Sequence, residues 1–221
     1  MCYHIKQTTA LDILAKKMGI NEPKGNYQEL FEPKLHINGF GFEWVPIRAN
    51  DNPNQMRLAK WWLMPSWETE WTPKLLNTLN TTIEKIEDTR SVCYKYQENH
   101  ATLLVDGFYE WQHVSTVDPK GKKGVDKQRH LIMKPNGEPF ELACLFSDWF
   151  YPEIGADIKT VSILTRPANS LMAHIHNTKK RMPVILDSVM AQNWLNNHLE
   201  VTDFQDMADY FESLDLQAVK R

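Results

Sequence analysis

The chain has 221 residues, 42% of them hydrophobic and 24% charged, with eight tryptophans; this is the make-up of a folded globular protein and excludes a disordered tail or a low-complexity array. A formal net charge of −3 at pH 7 gives no overall attraction to nucleic acid or to an anionic membrane, so any nucleic-acid contact has to come from a local basic patch. No repeat, linker or break in composition divides the chain, and a single domain over 1–221, with C-terminal helices 187–214 packed on it, is the simplest expectation.

The first residues, MCYHIK, put Cys2 directly after Met1, and His4 and Lys6 follow with no apolar run behind them. No signal peptide or membrane span is read, and a cytoplasmic protein is expected. Cys2, Cys93 and Cys144 are odd in number and lack CxxC spacing, which argues against a disulfide framework and a zinc ribbon. Cys93 and Cys144 stand in strand-like runs as small core residues. Residues 8–20 predict a helix capped by threonine, with Leu11, Ile13, Leu14 and Met18 on one face and Gly19 at its end. Runs rich in β-branched and aromatic residues predict strands at 35–37, 43–47, 57–64, 91–96, 101–111, 129–133, 140–146, 160–164 and 183–186. Between the last two, residues 166–176 predict a helix with Pro167 in its first turn. Residues 187–199 and 202–214 predict amphipathic helices, capped by Asp187 and by Thr202 or Asp203. Many strands without regular βαβ alternation point to an α+β fold around a strongly curved, barrel-like mixed sheet with peripheral helices.

Several stretches carry chemistry. If Met1 is removed, Cys2 offers an α-amine and a thiol on adjacent carbons, a pair that condenses with aldehydes; otherwise position 2 is an ordinary frayed terminus. Glu110, in LVDGFYEWQH, stands among aromatics. It is either a surface residue between core rings or, if buried, a carboxyl whose raised pKa suits proton transfer near neutrality. His174 and His176 are two apart and diverge on a helix, and no HExxH or Cys/His cluster occurs elsewhere, so no metal is expected. The tryptophan stretch KWWLMPSW, with Trp61 and Trp67, serves as core or as a stacking platform for bases. Two basic stretches, 120–129 and 177–183, are candidates for local charge, the first reading as a solvated hairpin loop.

Cys2, WWLMPSW, NTTIE, DGFYEW, FELACLFSDW, ILTRPAN and IHNTKKRMPVIL, in that order from Cys2 to about Leu186, resemble the SRAP (SOS response-associated peptidase) family of abasic-site processing proteins. The resemblance implies an SRAP-like α+β domain with a pseudo-barrel sheet. It also implies a covalent thiazolidine crosslink between Cys2 and abasic sites in single-stranded DNA. In that setting Asn80 matches the residue that positions the terminus, Glu110 the acid/base, and His176 the histidine that bonds the sugar oxygen and relays a proton. Arg181, helped by Lys179 and Lys180, fits a phosphate contact, and Trp61 and Trp67 fit support for bases beside the lesion. No cofactor is implied. The expected partner is single-stranded DNA with abasic sites, with replication-fork proteins as a further class, no membrane, a monomer, and a nucleoid location when bound to DNA.

Three departures stand out. The family's Asn-Ala-Arg-x-Glu pattern is Asn80-Thr81-Thr82-Ile83-Glu84 here, so an arginine expected on DNA phosphate is Thr82. The family's Trp-Gly pair is Trp61-Trp62, and the loop between His176 and Arg181 is longer than in the commoner form. Two other functions remain open at this point: a peptidase or self-processing peptidase using Cys2, and a noncovalent single-strand-binding module with no need of Cys2.

Overall fold

In the computed structural model, which describes residues 2–25, 29–71 and 77–221, the chain is mixed α+β and mostly sheet. Its elements in order are β1 (His4–Gln7), α1 (Leu11–Met18), β2 (Lys34–Asn38), β3 (Trp44–Ala49), β4 (Asn52–Trp61), β5 (Asn80–Thr82), β6 (His100–Val105), β7 (Gly107–Val117) and β8 (Lys123–Met133). There follow β9 (Phe140–Tyr151), β10 (Ala156–Pro167), α2 (Ser170–Ile175), β11 (Arg181–Pro183), β12 (Ile185–Leu186), α3 (Ser188–Leu195), α4 (Asp203–Asp206), α5 (Ala208–Glu212) and β13 (Gln217–Lys220).

One sheet runs β13-β8-β7-β1-β2; the other runs β11-β10-β4-β3-β6-β9-β12, and pairing of β9 with β10 closes its middle strands into a ring. The central strands β6, β9 and β10 are almost entirely buried; β6 and the first half of β9 are near-continuous apolar runs, whereas β10 also buries Lys159, Thr160, Ser162 and Thr165. Val161, Ile163, Leu103, Leu142 and Leu145 fill the core with Trp61 and Trp149, all of them nearly or fully inaccessible. Asp106-Gly107 is the corner where the chain leaves the ring for the other sheet. A methyl group on Gly107 would lie 2.7 Å from the carbonyl oxygen of Ile132, so only glycine allows β7 to approach β8 this closely.

Several expectations are corrected. The 91–96 run is a short 3₁₀ helix, Val92–Tyr96, and not a strand. Helix α1 begins at Leu11 with Ala10 at its cap and no side-chain capping bond, because the Thr8 and Thr9 hydroxyls both bond Asp106. Gly19 ends α1 in the left-handed conformation, φ 66°, as its position predicts. Pro167 closes β10 instead of opening a helix, and Asn169 caps α2, accepting from the Met172 N–H at 2.9 Å. Asp187 caps α3 as expected, but 202–214 forms two short helices broken at Met207. Of the basic stretch 120–129, residues from Lys123 onward belong to β8. Strand β13, beside β8, has no counterpart among the predicted elements.

Candidate functional site

The site is assembled around β1, which lies between β2 and β7. Pairing with β7 sets Ile5 opposite Phe108 and Lys6 opposite Gly107, and the same antiparallel register carried backwards brings Tyr3 and Cys2 level with Glu110 and Trp111. The Gly39 N–H donates to the Tyr3 carbonyl at 2.9 Å and holds the other side. At the far end of β1, the Asp106 carboxylate accepts from the Thr8 hydroxyl at 2.9 Å, the Thr9 N–H at 2.8 Å, the Thr9 hydroxyl at 2.7 Å and the Thr8 N–H. Burial alone would raise the Asp106 pKa, but these bonds from Thr9 and Thr8 outweigh it and hold the group below its ordinary value. The N-terminal strand is thereby pinned at both ends.

The Cys2 side chain is fully buried, its Sγ 3.9 Å from the His4 carbonyl. Burial, reinforced by the neighbouring Glu110 charge, pushes the thiol pKa up, so the sulfur is protonated at neutral pH and shielded. Glu110 is also buried, and desolvation lifts its carboxyl to about 7. A strand otherwise lined with aromatics thus carries an acid whose two protonation states are nearly equal in population at neutral pH.

His176 follows the last turn of α2, and its Nε2 is 4.0 Å from Glu110 Oε2. Its Nδ1 is 2.8 Å from the Arg181 carbonyl and 3.3 Å from the Arg181 N–H. The shorter contact needs a proton on Nδ1, which leaves the Nε2 lone pair toward Glu110 in the neutral ring. Burial lowers the His176 pKa, so the neutral ring prevails near pH 7. At 4.0 Å the two groups are beyond direct hydrogen-bond range. Asn177 sets this spacing from outside: its Oδ1 accepts from the His113 N–H at 3.0 Å and its Nδ2 donates to the His113 carbonyl at 2.8 Å. That amide locks the segment after His176 onto β7, three residues beyond Glu110.

A cavity of about 470 Å³ opens over these groups, lined by Tyr3, His4, Glu110, Trp111, His176 and Lys179 among others. Asn80 starts β5 beside β10. Both atoms of its side-chain amide are shut off from solvent and have no hydrogen-bond partner among the described residues, an arrangement that calls for a polar group in that place. The preceding residue, Leu79, packs with Trp61 so close to Gly39 that a methyl there would lie 3.1 Å from Leu79 and 3.2 Å from Trp61. Asn80 itself is not among the residues that line the cavity.

The expected DNA contacts fare unevenly. Trp61 is fully buried and its indole N–H donates to the Leu79 carbonyl at 3.1 Å; it is a core residue and has no face open to a base. Trp67 is half exposed, with the Lys95 ammonium 4.2 Å from its ring. Arg181 is tied into a two-pronged ion pair with Glu84, 2.9 Å from Nη2 to Oε2, and also bonds the Thr165 carbonyl, so it braces β11 against the segment after β5 instead of standing free for phosphate. Lys179 and Lys180 are exposed. Trp62 adopts φ 154°, a conformation that favours glycine, yet it is buried with its ring edge-on to Phe40 at 6.0 Å and Trp71 at 6.1 Å. Asp106 and Asn177 were not among the expected site residues. Asp106 read only as a break between strands, and nothing local in the sequence marks the His113 partner of Asn177.

The sequence pattern of the family described as SOS response associated peptidase (SRAP) matches residues 1–221. The chain is 27% identical over 160 residues to the abasic site processing protein HMCES of Xenopus tropicalis, a match covering 67% of this chain and 47% of that protein. It is 25% identical over 148 residues to the abasic site processing protein YedK of Escherichia coli, covering 67% of this chain and 58% of that protein. The matches thus span about half the length of these relatives. Among solved structures, a protein from Bacteroides thetaiotaomicron superposes with a TM-score of 0.78 at 24% identity, over 99% of this chain and 91% of that one. One from Bordetella bronchiseptica gives 0.71 at 19% identity, over 100% and 99%. These structural likenesses establish a shared fold.

Proposed function

The chain belongs to the SOS response associated peptidase family, and from that premise we propose that it processes abasic sites in single-stranded DNA by forming a thiazolidine crosslink through Cys2 once Met1 has been removed. The observation that carries this reading is the convergence of the N-terminal strand, Glu110 and His176 on one cavity. An abasic deoxyribose opens to an aldehyde, and an α-amine with a pKa of about 7.7–8.0 is partly unprotonated near neutral pH. The amine attacks the carbonyl carbon and water leaves, giving a Schiff base; the Cys2 sulfur then adds to that carbon, and its proton passes to the nitrogen as the five-membered ring closes. Both nucleophiles sit on one residue, so the second step is intramolecular.

In this proposal Glu110, with its pKa lifted to about 7, donates and recovers the protons of sugar opening and dehydration, and the neutral His176 Nε2 takes up a proton from the sugar oxygen. Asn80, whose amide lacks a partner among the described residues, orients the processed terminus. Lys179 at the cavity mouth and Lys180 beside it supply positive charge for the DNA backbone, and Trp67 supports a flanking base. On the same reading the protein acts in the compartment that holds DNA and works where single strands are exposed, as at replication forks. No helix among the described residues is long and apolar enough to cross a membrane.

The test is incubation of the purified protein with a single-stranded oligonucleotide carrying one abasic site, followed by denaturing electrophoresis. A heat-stable shifted band that disappears with Cys2→Ala supports the proposal. Salt-sensitive binding that survives Cys2→Ala, with no stable adduct, would identify a noncovalent binding module instead, and Cys2-dependent cleavage of peptides without adduct formation would identify a peptidase.

A further inference from the structure

Outside the chemistry assigned to Glu110 and His176, one pair of side chains is arranged as a ligand set. His4 on β1 and His36 on β2 meet across the two strands, with His4 Nδ1 2.9 Å from His36 Nε2 and ring centroids 4.8 Å apart. We propose that these two imidazoles form a binding site for a first-row divalent transition metal of the nickel, copper or zinc type.

The geometry is the first support. Metal–imidazole bonds of about 2.0–2.1 Å meeting at roughly a right angle or slightly more require ligating nitrogens about 3 Å apart. The observed 2.9 Å matches that spacing, and rotation of the two side chains turns the facing nitrogens toward a shared point. The rings are also held in place. Trp111 stands edge-on to His4 at 4.8 Å, and Tyr109 stands edge-on to His36 at 5.2 Å. The Tyr109 hydroxyl donates to the Leu35 carbonyl at 2.8 Å, tying β2 down next to His36. A ligand pair already fixed by packing gives up little side-chain entropy on binding.

In the metal-free pair one ring donates its proton to the other across the 2.9 Å contact. When a metal enters, that proton moves to the other nitrogen of its own ring, so both facing lone pairs become available with no net proton release. Arg129, whose guanidinium lies 5.3 Å from the Tyr109 ring centre, opposes any added positive charge and limits the affinity. Among the described residues no group of three or more histidine, cysteine or carboxylate side chains is placed to hold a metal, so water fills the remaining positions. Such a two-nitrogen, water-completed set suits nickel, copper and zinc better than magnesium or calcium, which prefer oxygen.

The pair lies two residues from Cys2 and His4 lines the same cavity, which makes the Cys2 thiol and a free terminal amine the competing ligands to exclude. Titration of the full chain with Ni²⁺ alone, a probe that does not oxidise thiols, is expected to give one ion per chain by calorimetry and a rise in melting temperature. His36→Gln should weaken Ni²⁺ binding by at least about tenfold, since even second-sphere partners of metal ligands are worth that much, and should remove the thermal shift. Cys2→Ala should bind Ni²⁺ as the parent does. If His36→Gln loses its native circular dichroism, His36→Tyr, which keeps a ring against Tyr109 but has no ligating nitrogen, carries the same test. Undiminished binding in the His36 variant, or its loss in Cys2→Ala, would overturn the proposal.

Discussion

Replacing Glu110 by glutamine separates what the buried carboxyl costs the fold from what it does for chemistry. Glutamine has the shape of the neutral acid and carries no charge. The Glu110 carboxyl rises from 4.5 to about 7 on folding because burial penalises its ionised form. At about 1.4 kcal/mol for each tenfold change in proton affinity, ionising it inside the fold costs roughly 3 kcal/mol. The sign follows from proton uptake: below pH 4.5 the group is neutral in both the folded and unfolded chain, between 4.5 and about 7 only the unfolded chain ionises, and above that the full cost is in place. Glu110→Gln should therefore match the parent near pH 4 and exceed it by roughly 3 kcal/mol at pH 8, read from urea unfolding midpoints at a series of pH values. Over the same series, adduct formation with an abasic oligonucleotide should slow by about 10²–10⁴-fold. A stability difference between variant and parent that stays constant from pH 4 to pH 8 would refute the claim that desolvation sets this pKa.

Asp106→Ala strands four donors on Thr8 and Thr9 and should cost on the order of 3 kcal/mol at pH 7; because the native pKa is depressed, the gap should narrow as pH falls through it, as chemical denaturation at pH 3 and 7 would reveal. Asn177→Ala should leave the unfolding midpoint within about 1 kcal/mol of the parent but slow adduct formation by on the order of ten- to a hundredfold through loss of the His176–Glu110 spacing, with binding of an undamaged oligonucleotide unchanged; an unaltered rate would remove Asn177 from the site. Trp62→Gly relieves a backbone held at φ 154°, worth about 1–3 kcal/mol, yet empties a buried indole volume worth about 3–5 kcal/mol. Thermal unfolding should thus show a net loss of about 2 kcal/mol, and a gain would mean the strain outweighs the packing.

The strands of the ring were legible because burial on both faces leaves continuous apolar sequences, as in β6 and β9. What misled was hydrogen bonding whose partner lies far along the chain. Thr8 and Thr9 have the chemistry of helix caps, but Asp106, nearly a hundred positions away, takes both hydroxyls, and α1 starts later than its sequence predicts. The 91–96 run has strand composition, yet Cys93 meets the Thr81 hydroxyl at 2.8 Å from within a 3₁₀ turn. Arg181 has the type of a phosphate ligand, and only the fold reveals that Glu84 occupies its guanidinium.

The same distinction separates the readable from the unreadable part of the site. Residue type identifies Cys2, Glu110 and His176 as groups able to exchange protons or attack carbon, but their working states depend on the solvent they lose. Burial moves all three toward neutrality, raising the thiol and the carboxyl and lowering the imidazole. In water at pH 7 the carboxylate would be ionised; here it is poised between states. The buried thiol stays protonated at neutral pH. On the proposed reading, groups held close to neutrality beside the Lys179 charge suit a reaction that begins with an unprotonated amine and passes protons to sugar and water. The cost of keeping Glu110 there falls on fold stability, and it is borne by the bonds at Asp106 and by the packed ring strands on which β7 is hung.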